Sequence, residues 1–128
     1  MAQVKIHGLH DHLNRHRAEI SDAIHHSAME GLGLPEEKRF HRFFGLDAAD
    51  FIYPGDRSRQ YTIIEVSMFE GRSTEAKGNF IRGIFARLED CGISPQDVEI
   101  TITDTPRENW GIRGLQANEL ALNYRVDV

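Results

Sequence analysis

The sequence contains a single cysteine, Cys91, and only four prolines among its 128 residues. One cysteine cannot close a disulfide within the chain or supply the thiolates of a cysteine-based zinc site. No stretch approaches the ~20 apolar residues of a membrane-spanning helix. The first ten residues, MAQVKIHGLH, alternate polar and apolar residues and lack the apolar core of a signal peptide. We therefore expect a cytoplasmic protein without a membrane partner.

Basic residues are also scarce relative to acidic ones. Fifteen Lys and Arg stand against twenty Asp and Glu, which gives a net charge of −5. Arg15 and Arg17 are separated by a histidine, and Arg57 and Arg59 follow Asp56, so no basic patch is evident. An acidic domain repels phosphate backbones, and nucleic acid is not an expected partner. The 40% of hydrophobic and 27% of charged residues are typical of one globular domain, here residues 1–128.

Two segments of the chain show the same order of patterns. In the first, Val4 and Ile6 alternate with polar residues, and apolar residues then recur at helical spacing over about 13–32. In the second, apolar residues alternate over 61–69 on what we expect to be a central strand. A strongly amphipathic helix follows, which Ser73 is expected to cap and which Gly92 and Pro95 close. Pro35 and Pro95 follow the helices and precede further strands near 40–46 and 98–102.

This repetition has a period of about 60 residues and predicts pseudo-repeats of about 1–60 and 61–128. Each repeat is a β-α-β unit whose parallel strands are joined by a crossover helix. The predicted fold class is therefore α+β, with tandem β-α-β units that form a four-stranded sheet carrying two helices on one face. Because the other face has no helix to cover it, we expect self-association.

Several motifs of the second repeat resemble those of a known family. Gly71-Arg72-Ser73, followed by Glu75 and Lys77, is similar to the Gly-Arg-Ser helix start of 4-oxalocrotonate tautomerase. The stretch 109–114, Asn-Trp-Gly-Ile-Arg-Gly, resembles the aromatic-Gly-Ile-Gly hairpin of the same family. The two fused units resemble the malonate semialdehyde decarboxylase branch of the tautomerase superfamily. This resemblance covers nearly the whole chain and implies a homotrimer that needs no cofactor.

The resemblance also implies a chemistry. In this superfamily an amino-terminal proline moves a proton beside a 2-oxo acid, arginines hold the carboxylate, and an aromatic wall lowers the dielectric constant. In this sequence Ala2 stands in place of the proline. Lys38 stands where the decarboxylase members carry an acid. Glu70 stands where they carry the first arginine of an Arg-x-Arg pair, so that only the second arginine, Arg72, is present. Decarboxylation and hydrolytic dehalogenation are therefore not expected.

Ala2 and Arg72 are the predicted catalytic residues. Removal of Met1 would expose a primary amine on Ala2 with a pKa of about 7.7–8.0, suited to proton transfer or to Schiff-base formation. A retained Met1 would place the amine one residue away. Arg72 suits a carboxylate because its planar guanidinium binds two oxygens at once.

Two further residues are predicted to line the substrate site. Trp110 would form a pocket wall, with a hydrophobic plug at a subunit contact as the alternative. Arg39 would supply a second carboxylate contact, with a solvated charge in a turn as the alternative.

The seven histidines do not predict a metal site. His25 and His26 are adjacent on the first helix and point about 100° apart, so they cannot face one ion together. Cys91 ends the second helix and is expected to be a half-buried structural thiol.

The sequence thus supports two hypotheses of different classes. The first is a tautomerase-like isomerase acting without cofactor on small 2-oxo acids or their enols. The second is a catalytically silent trimer that binds a small carboxylate or has a structural role.

Overall fold

The computed structural model describes residues 2–128. The two repeats and a short hairpin follow one another along the chain. The elements are β1 (Ala2–Leu9), α1 (His10–Leu32), β2 (His41–Leu46), β3 (Thr62–Phe69), α2 (Thr74–Asp90), β4 (Val98–Thr105), β5 (Gly111–Ile112) and β6 (Leu115–Gln116). Within this part of the chain no helix is long and apolar enough to cross a bilayer.

The four long strands form one sheet in the order β2-β1-β3-β4. Each repeat contributes a parallel pair, β1 with β2 and β3 with β4. The two repeats join through an antiparallel pair, β1 with β3, in which Val4 lies opposite Val66 and Ile6 opposite Ile64. The α+β fold with tandem β-α-β units is confirmed, and β3 is central as the sequence predicted.

Both helices pack on the same face of the sheet and against each other. Ile20 and Ile24 of α1 and Phe80 and Ile84 of α2 are at most 1% exposed. A Cβ atom on Gly31 would lie 2.9 Å from the backbone nitrogen of Phe80, so glycine allows the helices their close approach. The arrangement of two helices on one face is confirmed.

The opposite face of the sheet is more polar than the alternation suggested. Lys5 and Glu65 are opposite one another in register and exposed, and His7 contacts Glu65 at 2.6 Å between Nε2 and Oε1. Ile63 is only partly buried there. Charged and polar side chains therefore share this face with Ile63, and self-association through it stays a prediction.

The start of α1 also differs from the sequence prediction. The helix begins at His10, directly after β1, and its N-cap residue Leu9 offers no side-chain hydrogen bond. Helix α2 has the expected cap, since the Ser73 hydroxyl accepts a hydrogen bond of 3.1 Å from the Ala76 amide. The two repeats therefore begin their helices differently.

The tail, residues 106–128, forms a second hydrophobic cluster outside the main core. Phe69 and Ala117 are fully buried in it. The partly buried members of the cluster are Trp110, Ile112, Leu120, Leu122 and Val126. The tail thereby covers the end of the sheet at which β1 begins and β3 ends.

Candidate functional site

Ala2 and Arg72 lie at the same end of the sheet. Ala2 opens β1 and is opposite Met68 in the antiparallel register. Arg72 follows β3 in the turn that leads to α2, and its Nη1 donates a 2.9 Å hydrogen bond to the carbonyl oxygen of Phe69, the neighbour of Met68. Ala2 itself is 6% exposed and packs in the main core. Two distant parts of the sequence thus lie at one end of the sheet, and their shared role in a site stays a prediction.

The Arg72 guanidinium is buried and only partly hydrogen-bonded. The residue is 6% exposed. Within residues 2–128, neither its Nε nor its Nη2 has a hydrogen-bond partner. Burial lowers the pKa of Arg72, and the nearby Asp104 carboxylate opposes this shift. A buried donor without an acceptor costs about 1–3 kcal/mol, and more when it is charged, so an anion that pairs with these nitrogens would be stabilised here.

The end of the tail lies over the turn that carries Arg72. Gly71 has φ +123, and a Cβ atom at this position would lie 3.2 Å from the carbonyl oxygen of Val126. Both the conformation and the close approach require glycine. The Ser73 hydroxyl also donates a 2.7 Å hydrogen bond to the carbonyl oxygen of Val128. Hence the turn and the tail hold one another in place.

Trp110 belongs to the same end of the molecule through Phe69. The two rings meet edge to face with centroids 4.9 Å apart. Phe69 thus touches the indole with its ring and binds Arg72 with its carbonyl group. Trp110 is partly buried within the tail cluster, an arrangement compatible with both the wall and the plug that the sequence suggested.

Arg39 lies at the end of the sheet where β1 begins, since Val4 is opposite His41 in the parallel register, but it lies on the edge-strand side of Ala2, away from Arg72. Its Nη1 is 2.6 Å from Asp22 Oδ1 and 3.3 Å from Ser21 Oγ, both on α1. It precedes β2, which is two strands away from β3, about 10 Å at the usual spacing. Arg39 lines an open cleft of about 640 Å³ between α1 and β2 together with His41 and Phe43. The described structure therefore does not bring Arg39 into contact with Arg72.

Arg107 is a residue of this region that the sequence reasoning missed. Its Nε and Nη2 donate hydrogen bonds of 3.2 and 2.7 Å to the Ala117 carbonyl oxygen, and Nη2 donates another of 2.9 Å to that of Leu120. The guanidinium carbon lies 5.7 Å from the centre of the Phe69 ring. A lone arginine after a proline carries no signal of this role, because its acceptors are carbonyls of a folded-back tail.

Asp104 was also missed. Its carboxylate forms an ion pair with Lys77 on α2 and is close enough to oppose the lowered pKa of Arg72. The predicted strand covered only residues 98–102, whereas β4 extends to Thr105 and its register with β3 places Asp104 opposite Met68 at this end. Lys38, one of the residues that depart from the family pattern, lines a cleft of about 250 Å³ with tail residues such as Tyr124.

The histidines and the cysteine have other surroundings. Among residues 2–128, no group of three or more His, Cys, Asp or Glu side chains is placed to hold a metal ion. His12 and His41 both have a pKa lowered to about 4, in each case chiefly by burial. Burial likewise raises the pKa of the Cys91 thiol, which is partly buried as expected. A raised pKa disfavours the reactive thiolate.

Comparison with known proteins places these features in a family. The family model described as tautomerase enzyme matches residues 38–113, more than half of the chain. The chain belongs to this tautomerase family. The resemblance inferred from Gly71-Arg72-Ser73 and from the stretch 109–114 is confirmed.

Two relatives and two solved structures are similar to the chain. The 2-hydroxymuconate tautomerase of Comamonas testosteroni is 42% identical over 57 residues, 44% of this chain and 90% of that protein. The probable tautomerase YusQ of Bacillus subtilis strain 168 is 26% identical over 110 residues, 77% of this chain and 87% of that protein. FG41 malonate semialdehyde decarboxylase inhibited by 3-bromopropiolate is 29% identical with a TM-score of 0.81, covering 94% of this chain and 98% of that one. A fused 4-OT asymmetric trimer is 18% identical with a TM-score of 0.79, covering 91% and 96%, and its similarity concerns the fold.

Proposed function

We propose that the protein is a tautomerase-like isomerase that acts without a cofactor on small 2-oxo acids or their enols. The observation that carries this proposal is the buried Arg72 guanidinium with two nitrogens that lack partners among residues 2–128. Such a group is suited to hold a substrate carboxylate. The family assignment and the likeness to 2-hydroxymuconate tautomerase support an isomerisation of this kind.

In the proposed reaction the substrate carboxylate pairs with Arg72 and an amino-terminal amine transfers the proton. For an enol of a 2-oxo acid, a base takes the proton of the enol oxygen while an acid delivers one to the adjacent carbon, so the proton count balances. An α-amine with a pKa of about 7.7–8.0 is able to serve in both roles near neutral pH. Ala2 supplies this amine only when Met1, which lies outside the described residues, has been removed. Trp110 would form the wall that excludes water from the amine.

The end of the tail lies against the turn that carries Arg72. Val126 and Val128 contact the residues on either side of Arg72. We therefore propose that residues near Val126 move away when a substrate binds. We further propose a homotrimer, as in the fused 4-OT structure, working in the cytoplasm with neither a nucleic acid nor a membrane as partner.

The alternative is a catalytically silent protein that binds a small carboxylate or serves as a structural trimer. It is favoured by Ala2, which offers no secondary amine and whose side chain is in the core. In this case Arg72 would still bind the carboxylate, but no group at the start of β1 would move the proton.

The test is ketonisation of phenylenolpyruvate by protein whose amino terminus has been verified by intact mass. Wild type, Arg72→Met, Ala2→Pro and the control Arg17→Met would be compared, since Arg17 is exposed on α1 and hydrogen-bonded to Asn14. We expect wild-type turnover, a loss of about 100-fold or more in Arg72→Met, as for removal of an electrostatic contact to a developing charge, and no change in Arg17→Met.

The other outcomes separate the two hypotheses. Silence in wild type with activity in Ala2→Pro would mean an intact pocket without its base, which supports the binding protein. Equal turnover in wild type and Arg72→Met would contradict the role of Arg72. Silence in every variant would contradict the isomerase.

A further inference from the structure

A second cleft lies at the opposite end of β1 from Ala2. The strand is eight residues long, so the two ends are about 23 Å apart. The cleft has a volume of about 180 Å³. Its lining residues are Leu9, Asp11, His12, Arg15, His16, Arg59 and Gln60. Clefts for drug-sized ligands measure ~300–1,000 Å³, so this one suits a smaller molecule.

The cleft presents two guanidinium groups that pair with no carboxylate among residues 2–128. Arg15 lies on the second turn of α1 and Arg59 precedes β3, and both are exposed. Within residues 2–128 neither side chain forms a hydrogen bond or an ion pair. The first turn of α1 lines the same cleft, and its N-cap residue Leu9 leaves the helix start without a side-chain acceptor. Free guanidinium groups and an uncapped helix start both favour an anion.

His12 adds a buried acceptor to these donors. It is 4% exposed, and its Nε2 is 2.7 Å from Thr62 Oγ1. The Thr62 hydroxyl donates its own hydrogen to the Gln60 carbonyl oxygen at 2.8 Å, so Nε2 must be the donor to Thr62. Burial lowers the pKa of His12 to about 4, and the ring is neutral at pH 7. Its Nδ1 is then a lone pair with no partner among the described residues.

The ligand must therefore offer negative oxygens and also a hydrogen-bond donor. A purely anionic oxygen beside Nδ1 would face a lone pair, whereas an O–H group would satisfy it. Asp11 supplies a second acceptor in the lining. We propose that this cleft binds a small oxyanion that carries a hydroxyl group, such as hydrogen phosphate or a 2-hydroxy carboxylate. The oxygens pair with Arg15 and Arg59, and the hydroxyl donates to His12 or Asp11.

The repeat explains why a second site arises at this position. Strands β1 and β3 span residues 2–9 and 62–69, so equivalent positions are 60 residues apart. His12 is therefore the counterpart of Arg72, and Thr62 is the counterpart of Ala2. The proposal does not depend on catalysis at the Arg72 end, because none of its residues contacts that end.

The experiment measures binding of two matched pairs of ions by isothermal titration calorimetry at pH 8. Phosphate and sulfate are both dianions there, but only phosphate carries a hydroxyl group, and glycolate differs from acetate in the same way. We expect the hydroxyl-bearing member of at least one pair to bind 10-fold or more tightly than its control. A preference in the phosphate pair assigns a phosphate, and one in the glycolate pair assigns a hydroxy acid. Absence of binding, or equal affinities within both pairs, would overturn the proposal.

Variants test the location of binding. Arg59→Gln removes an exposed guanidinium from the cleft, and the control Arg17→Gln removes an exposed guanidinium of α1 that does not line the cleft. We expect Arg59→Gln to weaken binding about 10-fold and Arg17→Gln to leave it unchanged. The ¹⁵N chemical shift of His12 Nδ1 should move on titration with the ion that binds. Equal losses of affinity in both variants, or an Nδ1 resonance that does not move, would mean non-specific electrostatic binding and would contradict this site.

Discussion

The two ends of the β1–β3 pair are built from equivalent elements, but the buried side chain at one end is charged and the one at the other end is neutral. At one end Arg72 is a buried cation in the turn against the tail, and within residues 2–128 its side chain makes one hydrogen bond, to the Phe69 carbonyl oxygen. At the other end the counterpart residue, His12, is a buried neutral ring beside an open cleft. The comparison shows that one strand-to-helix turn can present either a fixed charge or a titratable group. The choice depends on the side chain at that turn and on what covers it.

The largest expected difference between the ends is their response to acid. The pKa of His12 is about 4 in the folded protein and about 6.5 in the unfolded chain. Between these values the unfolded chain binds one proton more, so the free energy of unfolding falls as the pH falls, by ~1.4 kcal/mol per pH unit. The full loss is about 3 kcal/mol below pH 4. His41, whose pKa is lowered to about 4 mainly by burial and next by Arg39, adds to the same slope.

Urea denaturation at intervals from pH 7 to pH 4 measures this slope. His12→Gln should make it shallower, because glutamine is able to hydrogen-bond Thr62 but does not titrate. His26→Gln, at an exposed position on the same helix, is the control and should keep the wild-type slope. If His12→Gln kept the wild-type slope, protonation of His12 would not be the cause of the loss of stability in acid.

The second prediction concerns the cover over the Arg72 end. Arg107→Met removes three hydrogen bonds to the carbonyl oxygens of Ala117 and Leu120. We expect a loss of about 2–3 kcal/mol in the free energy of unfolding, since each bond involves a charged donor. Cleavage within the tail by a protease should also become faster. Arg113→Met, an exposed arginine of the hairpin, is the control, and equal behaviour of the two variants would contradict the role of Arg107.

The third prediction tests the different helix starts. Ser73→Ala removes the hydroxyl that accepts from the Ala76 amide and donates to Val128. Loss of a helix cap costs about 1 kcal/mol, and thermal denaturation should show this loss. Thr74→Ala, one residue later and without a capping role, should change the stability by less. The start of α1 has no such side chain to lose, because Leu9 provides no cap.

The smallest effect is expected for Arg72 itself. Replacing an incompletely paired buried charge by an apolar side chain of similar length is often neutral or stabilising. Arg72→Met should therefore change the free energy of unfolding by less than about 1 kcal/mol, or raise it. A loss above about 2 kcal/mol in urea denaturation would mean that the guanidinium serves the fold rather than a ligand.

The candidate site could be predicted only in part. Gly71-Arg72-Ser73 and the hairpin stretch 109–114 are local motifs, so the sequence revealed them. Ala2 and Arg72 share a strand end because β1 and β3 are antiparallel, and this register is known only from the structure. The position of Arg39 was not predictable, since its partner Asp22 belongs to a helix 17 residues earlier.

The sequence also gave no warning of the cleft beside His12. Arg15 and Arg59 are 44 positions apart (59 minus 15), and each was interpreted only as part of an interrupted basic pair. The two arginines line the same cleft because the loop before β3, in the second repeat, reaches the start of α1, in the first. No local pattern in the sequence predicts which histidines are buried, yet His12 and His25 are buried and both have a lowered pKa.

The sequence by itself determined the order of strands and helices, the 60-residue repeat and the helix-facing side of the sheet. These features follow from alternation and helical spacing, which are properties of neighbouring residues. Tertiary structure alone decided which charges are buried and what covers them. The turn that carries the buried Arg72 packs against a tail that starts more than thirty residues later. Desolvation depends on every group that surrounds a side chain, and those groups come from distant parts of the chain.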